Sequence, residues 1–128
     1  MRLLLDTPVL LWAIAEPARL SKRARRLLVD ESNDLLFSTA SIWEIQLKRR
    51  TGKLMLPGEP GFLQEHIRRV GVQEVLSITP DHAYRVLTLA AGHKDPFDCL
   101  LAAQCLAEDL PLVTADPAFE TLGVRVLW

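Results

Sequence analysis

At 128 residues, 49% of them hydrophobic, the chain can bury one substantial core but not two ordinary ones, so a single domain over residues 1–128 is expected. Its apolar runs, such as Val9 to Ala15 and Cys99 to Ala107, stop well short of the roughly 20 residues a membrane-spanning helix needs, which argues against a membrane protein. The net charge of −1 says nothing about a polyanionic partner, but it hides an asymmetry: residues 1–70 carry 12 Lys and Arg against 8 Asp and Glu (+4), and residues 71–128 carry 3 against 8 (−5).

Leu3 to Leu5 resembles the start of a secretion signal, but Asp6 and Pro8 break it and no long apolar run or cleavage site follows. A cytoplasmic location is therefore expected. Cys99 and Cys105 lie in one predicted helix with poor geometry for a bridge, and are expected to be reduced, buried thiols.

In chain order, Arg2 to Leu5 reads as a strand, and Thr7 with Pro8 reads as the cap and first position of a helix over Val9 to Ala15. Ser21 caps a second helix to about Asp30, and Leu35 to Phe37 reads as a second strand. Ser38 to Ser41 opens a helix through Arg50, with Ser41 and Glu44 spaced as a capping box and Gly52 as its stop. A Pro and Gly turn over Leu56 to Gly61 leads to a helix over Phe62 to Val70, closed by Gly71. Val75 to Ile78 reads as the third strand, and Pro80 begins a helix to about Ala91. Asp95-Pro96-Phe97-Asp98 has the cap, proline and first-turn acid of a strong helix start, here leading to Ala107. Leu112 to Thr114 and Val124 to Leu127 read as the last two strands, with a turn at Asp116 and Pro117.

Short apolar strands alternating with helices predict an α/β fold with a mainly parallel sheet of four or five strands, covered on both faces. Parallel strands finish on one edge, so residues just past different strands meet there. Asp6, Glu44, Asp98 and Asp116 all follow strands or open helices on that rim. Each has a plain structural explanation: a helix terminus for Asp98 and Glu44, a pair with Lys48 for Glu44, a turn for Asp116. Asp6 resists one best, because a carboxylate closing an apolar strand is partly buried. Together, four acids on one rim would repel one another without a cation. Mg2+, with Mn2+ as the alternative, resolves that conflict, since both prefer oxygen ligands and no His and Cys set suggests zinc. Such ions can activate water against a phosphodiester, so the cluster reads as a nuclease site.

At these residues the chain resembles the PIN-domain ribonucleases, and especially the VapC-type toxins of toxin-antitoxin pairs. The resemblance runs through Leu5-Asp6-Thr7, Ser41-Ile42-Trp43-Glu44-Ile45, Asp98 within HKDPFDCLLAAQ, Thr114-Ala115-Asp116 and the closing GVRVLW. It implies an α/β/α sandwich, Mg2+-dependent endoribonuclease activity, a homodimer and a small antitoxin that blocks the site. It also implies Asp6 and Asp98 as principal metal ligands, with Glu44 and Asp116 completing the set. Asp95 ranks second to Asp98 because its position suits a cap, and Thr7 and Thr114 are expected to hold acids or waters through their hydroxyls. Pro8 and Cys99 depart from the His and Arg that many relatives carry there, which touches substrate or partner contacts and not the ligands.

Lys48, Arg49 and Arg50, with His93 and Lys94, are the candidate RNA-phosphate contacts, against a plain reading as solvated side chains. The cluster Lys22, Arg23, Arg25 and Arg26 has the same two readings. Trp12, Trp43 and Trp128 are expected in the core or at a dimer contact rather than as base platforms. Two other readings remain: a catalytically silent regulatory domain whose acids bind metal or a basic partner, and a small-molecule phosphohydrolase, disfavoured because Asp6-Thr7-Pro8 lacks a second Asp two residues on.

Overall fold

The computed structural model describes all 128 residues. Five strands form one all-parallel sheet in the order β3-β2-β1-β4-β5: β1 (Arg2–Leu5), β2 (Asp34–Ser38), β3 (Val72–Leu76), β4 (Leu112–Val113) and β5 (Val126–Leu127). Six helices connect them: α1 (Thr7–Ala15), α2 (Lys22–Val29), α3 (Thr39–Arg50), α4 (Phe62–Val70), α5 (Pro80–Arg85) and α6 (Pro96–Glu108). No helix is long and apolar enough to cross a membrane.

The leucine run of β1 shows why the sheet is covered twice. Successive strand side chains point to opposite faces. Leu3 and Leu5 join one core with Leu35, Phe37, Val9, Leu10, Ile45, Leu63 and Ile67, so α1, α3 and α4 pack on that face. Leu4 joins the other with Leu36, Leu112, Leu101, Ala102, Cys105 and Phe119, so α6 packs there. The result is the expected α/β/α sandwich. Both cysteines are free, Cys105 in the second core and Cys99 partly exposed.

Four local expectations need correction. The cap of α1 is Asp6, whose Oδ1 accepts from Thr7 N at 2.8 Å, and Thr7 is the first helical residue. The cap of α3 is Ser38, not Ser41, because the helix begins directly at the end of β2 and only Ser38 has an extended backbone. Strand β3 begins at Val72, since Gly71 at φ +101° turns the chain straight into pairing with β2, and its exposed edge residues Gln73 and Glu74 give no apolar signal. Helix α5 ends at Arg85 and tightens into a 3-10 turn over Val86–Thr88, where the Thr88 hydroxyl donates to the Arg85 carbonyl at 2.8 Å.

The strand order reverses direction between β1 and β4, and in open parallel sheets the crevice outside the strand ends at such a point is where ligands bind. Asp6 follows β1 directly and Thr114 follows β4 directly, so both border that crevice.

A carboxylate-rich candidate active site

Asp6 is 5% exposed and held by two neutral donors: Thr7 N to Oδ1, and the Thr114 hydroxyl to Oδ2 at 2.7 Å. That hydroxyl also accepts from Asp116 N at 3.0 Å, so one side chain ties the end of β1 to the turn after β4. Asp116 is itself a cap, with Oδ1 accepting from Ala118 N at 2.9 Å. Burial pushes the Asp6 carboxyl up to about 6; the Thr114 hydroxyl opposes the shift, and the charges of Asp98 and Glu44 add to it. Those two charges reach Asp6 although 92 and 38 residues, respectively, separate them from it in the chain.

Glu44 comes from the second turn of α3 and is 8% exposed. Its Oε2 meets Lys48 Nζ at 2.6 Å, a helical i, i+4 pair whose lysine reaches solvent. The Lys48 ammonium is pushed up first by that hydrogen bond and further by Glu44, Asp95 and Asp98, so it sits inside the field of the acids. Asp98 lies in the first turn of α6, where Asp95 caps the helix through Phe97 N and Asp98 N. Burial raises the Asp98 carboxyl above its ordinary range, with the nearby charges of Asp95 and Glu44 adding to that and His93 opposing it.

The four acids are therefore brought together, and Asp95 takes the capping role that its position suggested. Thr114 holds Asp6 by its hydroxyl as expected. Thr7 holds Asp6 by its backbone N–H instead, and its hydroxyl donates to Ser41 Oγ at 2.7 Å, pinning α1 to α3 beneath the rim. Nothing in the sequence singles out Ser41 for that contact.

The basic residues divide. Lys48 is engaged with Glu44, and Arg49 donates to the Pro57 carbonyl at 2.9 Å and to Gln46, so it fastens the 51–61 loop. Arg50 and Lys94 are exposed. His93 is not a solvated loop residue: its ring is 13% exposed, its Nε2 lies 2.8 Å from Asp98 Oδ2, and its centroid is 5.5 Å from that of Phe119. Trp12 borders a cleft of about 180 Å³ with Asp6, Pro8, Thr114, Ala115 and Asp116, and packs on Trp128 at 5.9 Å. Trp43 is 61% exposed, so it is not a core residue of this chain. Larger grooves lie elsewhere, one of about 350 Å³ between α1, α2 and α4, without any of the four acids.

The donor set suits a hard divalent cation. Hydroxyls and backbone N–H groups orient Asp6 and Asp116 without cancelling their charge, and the buried Asp6 carboxylate has no basic partner in hydrogen-bond contact. Asp6, Glu44, Asp98 and Asp116 are the residues that would hold such an ion.

Comparison with known proteins bears on this arrangement. The family model described as the PIN domain matches residues 3–124. A curated relative, Ribonuclease VapC16 of Mycobacterium tuberculosis, is 36% identical over 70 residues, covering 53% of this chain and 47% of that protein. The match thus spans about half the relative's length. Among solved structures, VapBC2 from Rickettsia felis bound to a DNA fragment from their promoter aligns with a TM-score of 0.73 at 15% identity, covering 99% of this chain and 98% of that one. FitAB bound to the IR36 DNA fragment aligns with a TM-score of 0.69 at 21% identity over 98% and 93% of the two chains. FitAcB from Neisseria gonorrhoeae aligns at 0.65 with 22% identity over 98% and 96%. These three likenesses concern the fold.

Proposed function

This chain belongs to the PIN-domain family, and from that premise we propose that it is a Mg2+-dependent endoribonuclease, the toxin of a toxin-antitoxin pair. The observation that carries the reading is the convergence of Asp6, Glu44, Asp98 and Asp116 on one rim at the point where the sheet order reverses. The nuclease assignment is supported by the family match and by the partial match to a ribonuclease. The partners proposed are RNA, a small antitoxin protein and a second copy of the chain; the solved neighbours named as VapBC and FitAB assemblies support the first protein partner.

When bound, a divalent ion supplies an activated water and stabilises the departing oxygen of a phosphodiester. The chain's own residues do the positioning. Asp6 presents its carboxylate from the end of β1 and Asp98 from the first turn of α6, within reach of each other's charge, with Glu44 and Asp116 nearby. Thr114 fixes the Asp6 carboxylate and the Asp116 backbone with one hydroxyl, so the two cannot drift apart. Exposed Lys94, beside His93 in the loop before α6, suits an RNA phosphate, whereas exposed Arg50 lies at the end of α3 away from the rim.

The decisive experiment incubates purified protein with total RNA and Mg2+ and sequences the new RNA ends, with Asp6→Ala as the control. Defined ends that vanish in the variant and on chelation are expected. Equal cleavage by a still-folded Asp6→Ala protein would overturn the reading, and no cleavage together with unchanged thermal stability in Mg2+ would overturn metal binding as well.

A further inference from the structure

Carboxylates alone do not complete the rim. His93 sits in the loop before α6 with its Nε2 at 2.8 Å from Asp98 Oδ2, and one ligand atom each from His93, Asp98 and Asp116 lie within 4.8 Å of one another. Atoms that close fit within the coordination sphere of a single ion. The ring's place is built: Phe119 lies against it, and the Cys99 thiol donates to the His93 carbonyl at 3.5 Å. No lysine or arginine is paired with Asp98 or Asp116.

A second histidine in the chain sharpens the contrast. His82 also meets a carboxylate, Glu108, at 2.8 Å, but its Nδ1 accepts from Thr79 N at 3.0 Å, so both ring nitrogens are committed within the fold. In His93 only Nε2 has a partner, and that partner is a candidate ligand.

We propose that His93 is a nitrogen ligand of the metal centre, acting with Asp98 and Asp116, and that this donor makes the site prefer Mn2+ over Mg2+. The inference rests on the metal-dependent reading above and departs from its all-oxygen ligand set. Imidazole is a poor donor for Mg2+, which keeps to carboxylates and water, whereas first-row transition ions accept nitrogen; Mn2+ is the one of these that also favours carboxylate oxygen. Binding needs the neutral ring with its proton on Nδ1, which has no partner in the fold; the Nε2 proton shared with Asp98 passes to solvent, and Nδ1 takes one up if the ring was neutral, so Nε2 offers its lone pair to the ion. Asp98 then loses a hydrogen bond and gains the shared cation.

The test titrates Mn2+ into the full chain, competes it with Mg2+, and examines the bound Mn2+ by electron spin-echo modulation for coupling to ¹⁴N. His93→Ala and His93→Gln are compared, the second retaining a donor for Asp98, and circular dichroism checks that both fold. Nitrogen coupling in the wild type that is lost in both variants is expected, with Mn2+ affinity falling about 10-fold or more and Mg2+ affinity changing little. Wild-type Mn2+ without nitrogen coupling, or coupling that survives in the variants, overturns the inference. If RNA is cut with Mg2+ while bound Mn2+ shows no nitrogen, only the ligand assignment fails. Nitrogen coupling without RNA cleavage would spare the ligand and sink the ribonuclease. If no divalent ion binds, both fall.

Discussion

On the strand side of the rim, Asp6 and Asp116 are held by a threonine hydroxyl and backbone N–H groups, whereas on the helix side Glu44 faces Lys48 and Asp98 faces His93. Neutral donors fix a carboxylate's direction and leave its charge intact, so the bonds from Thr114 and Thr7 offset only part of the cost of burial and the Asp6 carboxyl still rises to about 6. Basic side chains offset the charge and can leave: Lys48 is 49% exposed and can swing to water. The strand side is thus rigid and needs a cation from outside, while the helix side can exchange one partner for another.

Four substitutions test that difference. The largest effect is expected for Asp98→Ala, which removes a proposed ligand together with the anchor of His93: single-turnover RNA cleavage should fall at least about 100-fold in a folded protein. Retention of most activity would show that the helix side is dispensable.

Asp6→Asn should separate activity from stability, abolishing cleavage while making the metal-free fold more stable. The sign follows from a carboxyl whose folded value, about 6, lies above its ordinary 3.8. The folded state then binds the proton more tightly, so the destabilisation is fully present above about pH 6 and fades as pH falls toward 3.8. Removing the charge should therefore add up to about 3 kcal/mol at pH 7 and only about 0.5 kcal/mol near pH 4, as read by urea denaturation. A loss of stability at pH 7 would mean that the charge-assisted bonds to Thr7 and Thr114 outweigh burial.

Thr114→Val removes the donor to Asp6 and the acceptor for Asp116 N. Cleavage should drop about 10-fold and stability by about 1 kcal/mol. Because the hydroxyl holds the Asp6 carboxyl down, its loss should also move the rising limb of the pH-rate profile to higher pH. An unshifted profile would show that Asp6 does not govern it.

Lys48→Met is expected to do least to the fold, under about 1 kcal/mol, since the pair is half-exposed on its lysine side. Mg2+ affinity, measured by calorimetry, should rise a few-fold because the ion no longer competes with the ammonium for Glu44. Weaker Mg2+ binding would mean that Lys48 organises Glu44 rather than competing for it.

Much of this was legible in the chain. The Leu3 to Leu5 run, the proline-marked helix starts at Pro8 and Pro96, and the cap at Asp95 announced their elements because each reflects a local backbone rule. The edge strand β3 starts three residues before its apolar signal because half-exposed strands carry weak apolar signals, and its pairing with β2 alone defines it. Ser41 and Glu44 have capping-box spacing, yet the cap is Ser38, because spacing does not say where the preceding strand ends.

The alternation of strands and helices, the sandwich that follows, and the acids that close the strands or open the helices can be read from the chain alone, since these depend on side-chain period and local capping. The long-range contacts of the acids depend on the tertiary structure alone. Thr114 reaches Asp6 across 108 residues, whereas the Glu44–Lys48 pair is a local i, i+4 contact that the sequence already offers. His93 turns from loop to rim. Hydrogen-bond partners depend on distances of about 3 Å between elements, which strand order and register set and chain spacing does not.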